Sequence, residues 1–400
     1  MRESQDAPDA AAPRPRVPIL AELLLALVAG GLVGRGLGAR AAILGELAQL
    51  FVALLKLLAT PLVFFAIVDT IVATQVPFRR ALILLPASAT NALVAAAIAL
   101  GLGHALPLGR FVDLVRLRAI VNRPAPPTRL DVIKHAFAHL AVTNLLWVIA
   151  AALATGVLLR VARELAAARV AASLVKRVLA GFLSALGVIV RFVPWAAFGI
   201  TASIVGISGL TMFPVLGLFM LLVTAGIVLH VFGWYSLVLA LVVRRSPARF
   251  FRQGADALGT ALAAGSSLAT LPVTLRTLDG EMHVSEPSAR LAAVVGTNLN
   301  HDGIILYEAT AALFVAQLYG LPLGFSQQLT LIGQSVAAAV GIAGVPEAGM
   351  ITLTLVFGRV GLPLAAAPLL LPVDWLLGRL RAATNVASDM VVATLLDRFR

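Results

Sequence analysis

The sequence predicts an all-α polytopic membrane protein with eight transmembrane helices and two re-entrant helical hairpins. Hydrophobic residues make up 60% of the chain and charged residues 12%, a proportion that a soluble domain does not bury. Six long apolar stretches follow one another up to about residue 243. Beyond residue 250 the apolar segments are interrupted by glycine, proline and polar residues. This change of pattern predicts the two hairpins and the last two helices.

Residues 1–16 are polar, rich in proline and alanine, and end in Arg14 and Arg16. We expect a disordered cytoplasmic tail, because no small-residue cleavage site closes the first apolar stretch. The net charge of +12 comes largely from basic residues in short loops between apolar stretches. That distribution is typical of membrane topology and not of a nucleic-acid-binding surface. The chain has no cysteine, which excludes disulfides and thiol chemistry.

The six apolar stretches are each long enough to cross a bilayer. They occupy roughly residues 17–36, 42–75, 81–107, 137–163, 178–206 and 210–243. Basic residues cluster after the second, fourth and sixth stretches, so the positive-inside rule places those ends and both termini in the cytoplasm. The loop 110–134 is basic although this count places it outside.

Two later segments are apolar but broken. The first, GTALAAGSSLATLPVT at 259–274, contains Gly265 and Pro272, and the second, at 333–361, contains Gly344 and Pro346. Each is too short to span before it breaks, and irregular backbone at membrane depth must be buried in protein or line an aqueous cavity. Two such segments, each followed by a polar helix, indicate the solute site of a transporter.

The last segment, 371–400, carries a polar stripe. Asp374, Arg381, Asn385 and Asp389 stand at i, i+7, i+11 and i+15, which places them on one face of a helix. Each ionisable group near the bilayer centre costs about 2.5–3.5 kcal/mol on insertion scales, so the stripe faces protein or water. We expect the arginine to bind an anion and the asparagine and aspartate to bind a cation. The alternative is an internal Arg–Asp pair.

Glu308 lies among apolar neighbours in the other polar helix, 290–319. A charge is costly there, so this carboxyl is a candidate for proton coupling. The alternative is a hydrogen bond that packs two helices together.

Four C-terminal motifs resemble the dicarboxylate/amino acid:cation symporters, which include the glutamate transporters and the C4-dicarboxylate transporters. The motifs are SSLATLPVT at 266–274, NLNHDG at 298–303, GIAGVPEAG at 341–349 and VDWLLGRLRAATNVASD at 373–389. The resemblance implies inverted repeats, a homotrimer and elevator motion. It also implies a scaffold of helices 1–6 over 17–249, with helix 3 contributing to a transport core over 250–400.

The resemblance also implies residue roles. Arg381 and Asn385 match substrate-carboxylate ligands, and the hairpin tips would supply backbone donors from Ser266, Ser267 and the stretch from Val345 to Gly349. One sodium site matches Gly296, Asn300, Asn385 and Asp389. A second sodium site matches Asn300, Asp302, Thr90 and Asn91. Glu308 matches the proton-coupling glutamate of some members. Apart from sodium as coupling ion, no cofactor is expected.

Gly378 stands where the amino acid transporters carry the aspartate that pairs with the substrate ammonium, and Ala382 replaces a threonine. An unpaired ammonium in a dehydrated site is costly, so we expect a C4-dicarboxylate such as succinate, fumarate or malate. Acidic amino acid transport is the alternative, and it would need Glu347 to replace the missing acid. Arg379 copies a second arginine of the animal glutamate transporters.

Two functions from other classes fit less well. A passive anion channel would favour unbroken polar stripes over hairpins that stop half-way. An intramembrane hydrolase using Ser266 or Ser267 with His301 lacks a Gly-x-Ser-x-Gly elbow.

Asn298 and His301 replace residues of the family's sodium site under the second hairpin. The alanine- and arginine-rich sequence favours a bacterial inner membrane as the location.

Overall fold

The computed structural model describes residues 19–73, 78–107, 145–296, 299–341 and 348–399, and within these ranges the secondary structure is entirely helical. The predicted tail at 1–16 and the basic loop at 110–134 lie outside the described residues. The prediction of an all-α protein is confirmed.

Within the described residues, seven helices build the N-terminal part. They are α1 (Ile19–Leu37), α2 (Ala42–Ala73), α3 (Phe78–Ala105), α4 (Leu145–Val161), α5 (Ala166–Val190), α6 (Val193–Ser208) and α7 (Met212–Val228). Eight helices follow: α8 (Pro247–Gln253), α9 (Ala255–Ala264), α10 (Ser267–Arg276), α11 (Glu286–Arg290), α12 (Asp302–Tyr319), α13 (Phe325–Gly341), α14 (Ala348–Val360) and α15 (Leu371–Arg398).

Helices α1, α2, α4, α5 and α6 form one packed group, in which α1 contacts α6 and α2 contacts α4, α5 and α6. Glycines permit these close crossings. A Cβ on Gly30 would lie 2.6 Å from the Phe198 carbonyl oxygen, and one on Gly199 would lie 2.5 Å from the Leu44 carbonyl oxygen. Small residues that let backbones approach are the usual device for packing helices in a membrane.

The helix that begins as α7 continues without a break to Val243, and α7 below means the whole of Met212–Val243. Beyond Val228 it is irregular. Two π-turns, Leu229–Trp234 and Val238–Val243, flank the short α-turn Tyr235–Leu237. The sequence predicts only helix 3 as the N-terminal contribution to the core, yet α7 also packs against α3, α12 and α15. In its contacts, α7 therefore belongs with the C-terminal helices.

The first broken segment forms a hairpin of α9 and α10, which contact each other and turn at Gly265 with φ +65°. Each arm has ten residues, about 15 Å at 1.5 Å per residue, which is half of a hydrocarbon core of about 30 Å. The second broken segment forms α13 and α14, which also pack together. Its tip, 342–347, lies outside the described residues.

Helix α12 occupies the centre and contacts α3, α7, α13, α14 and α15. Four helices in the described ranges are long and apolar enough to span a membrane: Ala21–Ala48, Leu82–Ala105, Ala166–Ile189 and Met212–Val243. This supports a membrane protein, and the total of eight spans with inverted repeats stays a prediction.

Candidate functional site

Arg381 lies in the middle of α15 with a buried guanidinium group. Its Nη1 donates to Asp374 Oδ1 at 2.6 Å and its Nη2 donates to Asp374 Oδ2 at 3.4 Å. Its Cζ lies 4.1 Å from the centroid of the Tyr307 ring. The predicted Arg–Asp alternative is therefore present in this structure. The partner is Asp374 and not Asp389, because helix side chains lean toward the N-terminus.

Two glycines surround this guanidinium. A Cβ on Gly349 of α14 would lie 2.6 Å from Arg381 Cζ and 2.7 Å from each terminal nitrogen. A Cβ on Gly378 would lie 3.3 Å from Arg381 Nη2. Both predicted substrate-site glycines thus lie against the arginine, one on the second hairpin and one on α15.

The tip of the first hairpin also reaches α15. A Cβ on Gly265 would lie 3.7 Å from Arg379 Cγ, while Ser266 caps α10 by accepting from the Ala269 N–H at 3.2 Å. Ser267 is buried beside it. Arg379 donates to the Trp375 carbonyl at 2.9 Å and its Cζ lies 5.8 Å from the Trp375 ring centroid. Val345 and Glu347 lie outside the described residues.

Asp389 and Asn300 form a second buried cluster. Asn300 Nδ2 donates to Asp389 Oδ1 at 3.0 Å, and Asn300 Oδ1 accepts from the Ser88 hydroxyl at 2.6 Å. A Cβ on Gly296 would lie 2.5 Å from Asn300 Nδ2 and 2.7 Å from Asp389 Oδ1. Three predicted ligands are thus brought together in a glycine-lined cradle, in which the Asp389 carboxylate is the oxygen group that suits a hard cation.

Asn385, predicted for both substrate and sodium, accepts from the Gly303 N–H at 3.0 Å and so links α15 to the start of α12. Ser88 of α3 was not predicted. The only signal in the sequence was its position two residues before Thr90 among the polar residues of the third helix.

Asp302 has partners that the sequence did not indicate. Its Oδ2 accepts from the Tyr235 hydroxyl at 2.6 Å and from the Ser388 hydroxyl at 2.7 Å, and His230 Nε2 lies 3.4 Å away.

Of the other ligands predicted for the second sodium site, Asn91 is buried and its Nδ2 donates to the Ser388 hydroxyl at 3.3 Å, whereas Thr90 is exposed. The residues of α7 went unpredicted because their spacing does not follow an α-helical period.

Glu308 is completely buried in α12. Ser335 on α13 and Thr352 on α14 lie near its carboxyl group, but neither carboxyl oxygen has a hydrogen-bond partner among the described residues. The glutamate therefore lies between α12 and both arms of the second hairpin. His301, at the start of α12, is buried too, and its Nδ1 has no hydrogen-bond partner among the described residues. Asn298 lies outside them.

Residues 19–399 match the model of the sodium:dicarboxylate symporter family. The chain belongs to this family. It is 42% identical over 192 residues to excitatory amino acid transporter 3 of Mus musculus, which is 48% of this chain and 37% of that protein. It is 41% identical over 182 residues to excitatory amino acid transporter 4 of Mus musculus, 46% of this chain and 32% of that protein. The matched part thus spans about a third of the length of these relatives.

Family membership confirms the predicted resemblance. The family model describes symporters and the matching relatives are named transporters.

Proposed function

We propose that the protein carries a small acidic solute across the membrane together with a cation, and that Arg381 binds a carboxylate of the solute. The buried guanidinium of Arg381, held by Asp374 between Gly349 and Gly378, carries this proposal. A planar guanidinium fork suits bidentate binding of a carboxylate. Asn385 and the hairpin tips at Ser266, Ser267 and Gly349 would complete the solute site.

Sodium is the proposed coupling ion at the cradle of Gly296, Asn300 and Asp389, with Asn385 one turn away on α15. A cation there would neutralise Asp389 and fix α15, whose other polar residues hold the solute. Binding of ion and solute would then be mutually favourable, which is the requirement for coupling. Glu308 is the proposed carrier of a proton in addition to or in place of sodium.

An acidic amino acid is the first candidate solute. The matching relatives are named excitatory amino acid transporters, and the charge balance at Arg381 agrees. Because Asp374 already neutralises the guanidinium, a dicarboxylate would add two uncompensated negative charges to a buried site, whereas aspartate would add one. Buried charge without compensation is costly.

A C4-dicarboxylate such as succinate is the second candidate. Gly378 and Ala382 favour it, because neither side chain offers an oxygen to a substrate ammonium. Glu347 could supply the missing acid for an amino acid substrate. If Glu347→Gln leaves aspartate uptake unchanged, Glu347 does not have that role.

Uptake of labelled aspartate and labelled succinate into proteoliposomes tests both candidates, with sodium and pH gradients imposed separately. We expect aspartate to accumulate against its gradient. Preference for succinate would support the second candidate, and the gradient that drives uptake would distinguish Asp389 from Glu308 as the coupling group. Downhill flux without accumulation would indicate the passive channel instead, and no flux of either acid would contradict the proposal.

We further propose an elevator mechanism, in which the 250–400 core with α3 and α7 shifts against a homotrimeric scaffold. The contacts of α7 with α12 and α15 support its place in the moving part. The second hairpin would serve as the outer gate. A bacterial inner membrane with both termini in the cytoplasm is the proposed location.

A further inference from the structure

Three helices converge on the carboxylate of Asp302. Tyr235 and His230 come from α7, Ser388 comes from α15, and all of these side chains are buried with Asp302 on α12. The two hydroxyl oxygens lie 2.6 Å and 2.7 Å from Asp302 Oδ2, and His230 Nε2 lies 3.4 Å from it. Hydrogen bonds to a buried carboxylate are charge-assisted and strong.

The π-turn of α7 is what brings two of these groups to one point. Residues 230 and 235 are five apart, which in an α-helix separates their directions by about 140°. The turn Leu229–Trp234 is π-helical, and its i→i+5 pattern aligns them. The rings of His230 and Tyr235 are accordingly 4.6 Å apart between centroids.

Neighbouring groups fix the direction of the hydrogen bonds. Trp234 Nε1, which can only donate, lies 2.8 Å from Asn91 Oδ1. The other end of the Asn91 amide is therefore Nδ2, and it donates to the Ser388 hydroxyl at 3.3 Å. Since Ser388 accepts from Asn91, its own hydrogen points toward Asp302. The Asp302 Oδ2 atom is thus faced by hydrogens and not by lone pairs.

A hard cation needs several oxygen lone pairs directed at one point. Of the four predicted ligands, Thr90 is exposed, and the amide oxygen of Asn91 accepts from Trp234. Asn300 gives its oxygen to Ser88 and its nitrogen to Asp389. Asp302 Oδ1 is buried without a hydrogen-bond partner in the described part of the chain, and one carboxylate oxygen does not make a coordination shell.

We infer that Asp302 is not a sodium ligand in this protein. Its carboxylate accepts hydrogen bonds from Tyr235 and Ser388, with His230 Nε2 beside them at 3.4 Å, and these contacts connect α7 to α12 and α15. This inference rests on the proposed function only in that sodium is the coupling ion, and it leaves the Asp389 cradle as the sodium site among the described residues.

Counting sodium ions on the purified full-length protein in detergent, without solute, tests the inference. Calorimetric titration would compare the wild type with Asp302→Asn and with Asp389→Asn as the matched control. We expect Asp302→Asn to bind as many sodium ions as the wild type and Asp389→Asn to bind one fewer. Loss of one ion in Asp302→Asn would overturn the inference.

Tyr235→Phe covers the case in which Asp302→Asn does not fold. It keeps the carboxylate and the ring but removes one hydrogen bond, so we expect lower thermal stability with an unchanged sodium affinity. A changed sodium affinity would overturn the inference, because it would place an ion in competition with the Tyr235 hydrogen. A wild type that binds no sodium would contradict sodium coupling in the proposed function while agreeing with Asp302 having no metal role.

Discussion

At the scale of single residues, Arg381 is paired with Asp374, and we propose that a solute carboxylate binds the same guanidinium. Arg381 presents two nitrogens to Asp374, and its position against Gly349 keeps the second hairpin backbone within reach. A buried charge whose partner is removed costs about 3–5 kcal/mol, so Asp374 stabilises the protein before any solute binds. A solute carboxylate then adds to, or displaces, a bond that already exists.

Asp374→Asn should lower the thermal stability of the protein without solute, because the guanidinium loses that carboxylate. A saturating acidic solute should restore stability by more than it does in the wild type, since its carboxylate compensates the same charge. Thermal unfolding in detergent with and without solute measures both effects. Asp397→Asn is the control, because Asp397 binds Ser285 near the end of α15 and its loss should leave the solute effect unchanged. An equal solute effect in Asp374→Asn and the wild type would contradict the prediction.

Gly349→Ala should weaken solute binding with little loss of folding stability. The new methyl group would lie 2.6 Å from Arg381 Cζ, so the end of the arginine must move. Losing one hydrogen bond from the displaced guanidinium to the solute costs about 1.5–3 kcal/mol, which corresponds to a rise in KM of roughly ten- to 150-fold, measured by uptake kinetics. Gly333→Ala on the other arm of the hairpin meets no atom within 4 Å and should leave KM unchanged. A normal KM in Gly349→Ala would show that the arginine is not held against the hairpin.

At the scale of helices, the function depends on the crossing of α12 and α15. The backbones of the two helices approach closely at Gly303. A Cβ there would lie 2.7 Å from the Arg381 carbonyl oxygen and 2.8 Å from the Arg381 Cα. The same crossing carries the bond from the Gly303 N–H to Asn385. The helix that positions the arginine is thus fixed by backbone contact at the arginine itself.

Gly303→Ala should therefore destabilise the protein, because backbone atoms cannot give way as a flexible side chain can. We expect the free energy of unfolding to fall by about 1–3 kcal/mol, seen as a lower melting temperature. Gly217→Ala in α7 meets nothing within 4 Å and should be neutral or stabilising by up to about 1 kcal/mol. Equal melting temperatures for the two variants would refute the close crossing.

Much of this architecture could be predicted from the sequence, because broken apolar segments and a polar stripe follow directly from the cost of polar groups in lipid. The hairpin turn at Gly265 is an example, whereas the approach of Asp389 to Asn300 was implied by the family resemblance. The pairing of Arg381 with Asp374 was harder, since it depends on the reach and direction of a long side chain. Tyr235 and His230 could not be predicted, because π-turns displace them from the α-helical period.

At the scale of the whole molecule, Glu308 of the central helix α12 lies near both arms of the second hairpin. A proton carried there would alter the contact between α12 and the element proposed as the outer gate. At that position, a pH gradient would affect the opening of the second hairpin as well as the charge of the Glu308 carboxyl group.

Glu308→Gln keeps the size of the side chain but cannot gain or lose a proton. If Glu308 carries the coupled proton, uptake by this variant should no longer respond to an imposed pH gradient, while exchange of internal for external solute continues. Parallel flux assays in proteoliposomes measure the two modes. Glu46→Gln provides the control, since Glu46 is a buried glutamate of α2 and its change should leave the pH response intact. A retained pH response in Glu308→Gln would exclude the role.

The short arms of the first hairpin have an electrical consequence. With ten residues in each arm, its tip reaches only about half-way through the hydrocarbon layer. A charge bound at that depth crosses part of the membrane voltage on entry, and the proposed shift of the core together with release crosses the rest. One full crossing is worth about 2.3 kcal/mol per elementary charge per 100 mV, so the two parts divide roughly equally. The binding current should then carry about half of the charge moved per cycle, and the shift of the core with release should carry the other half.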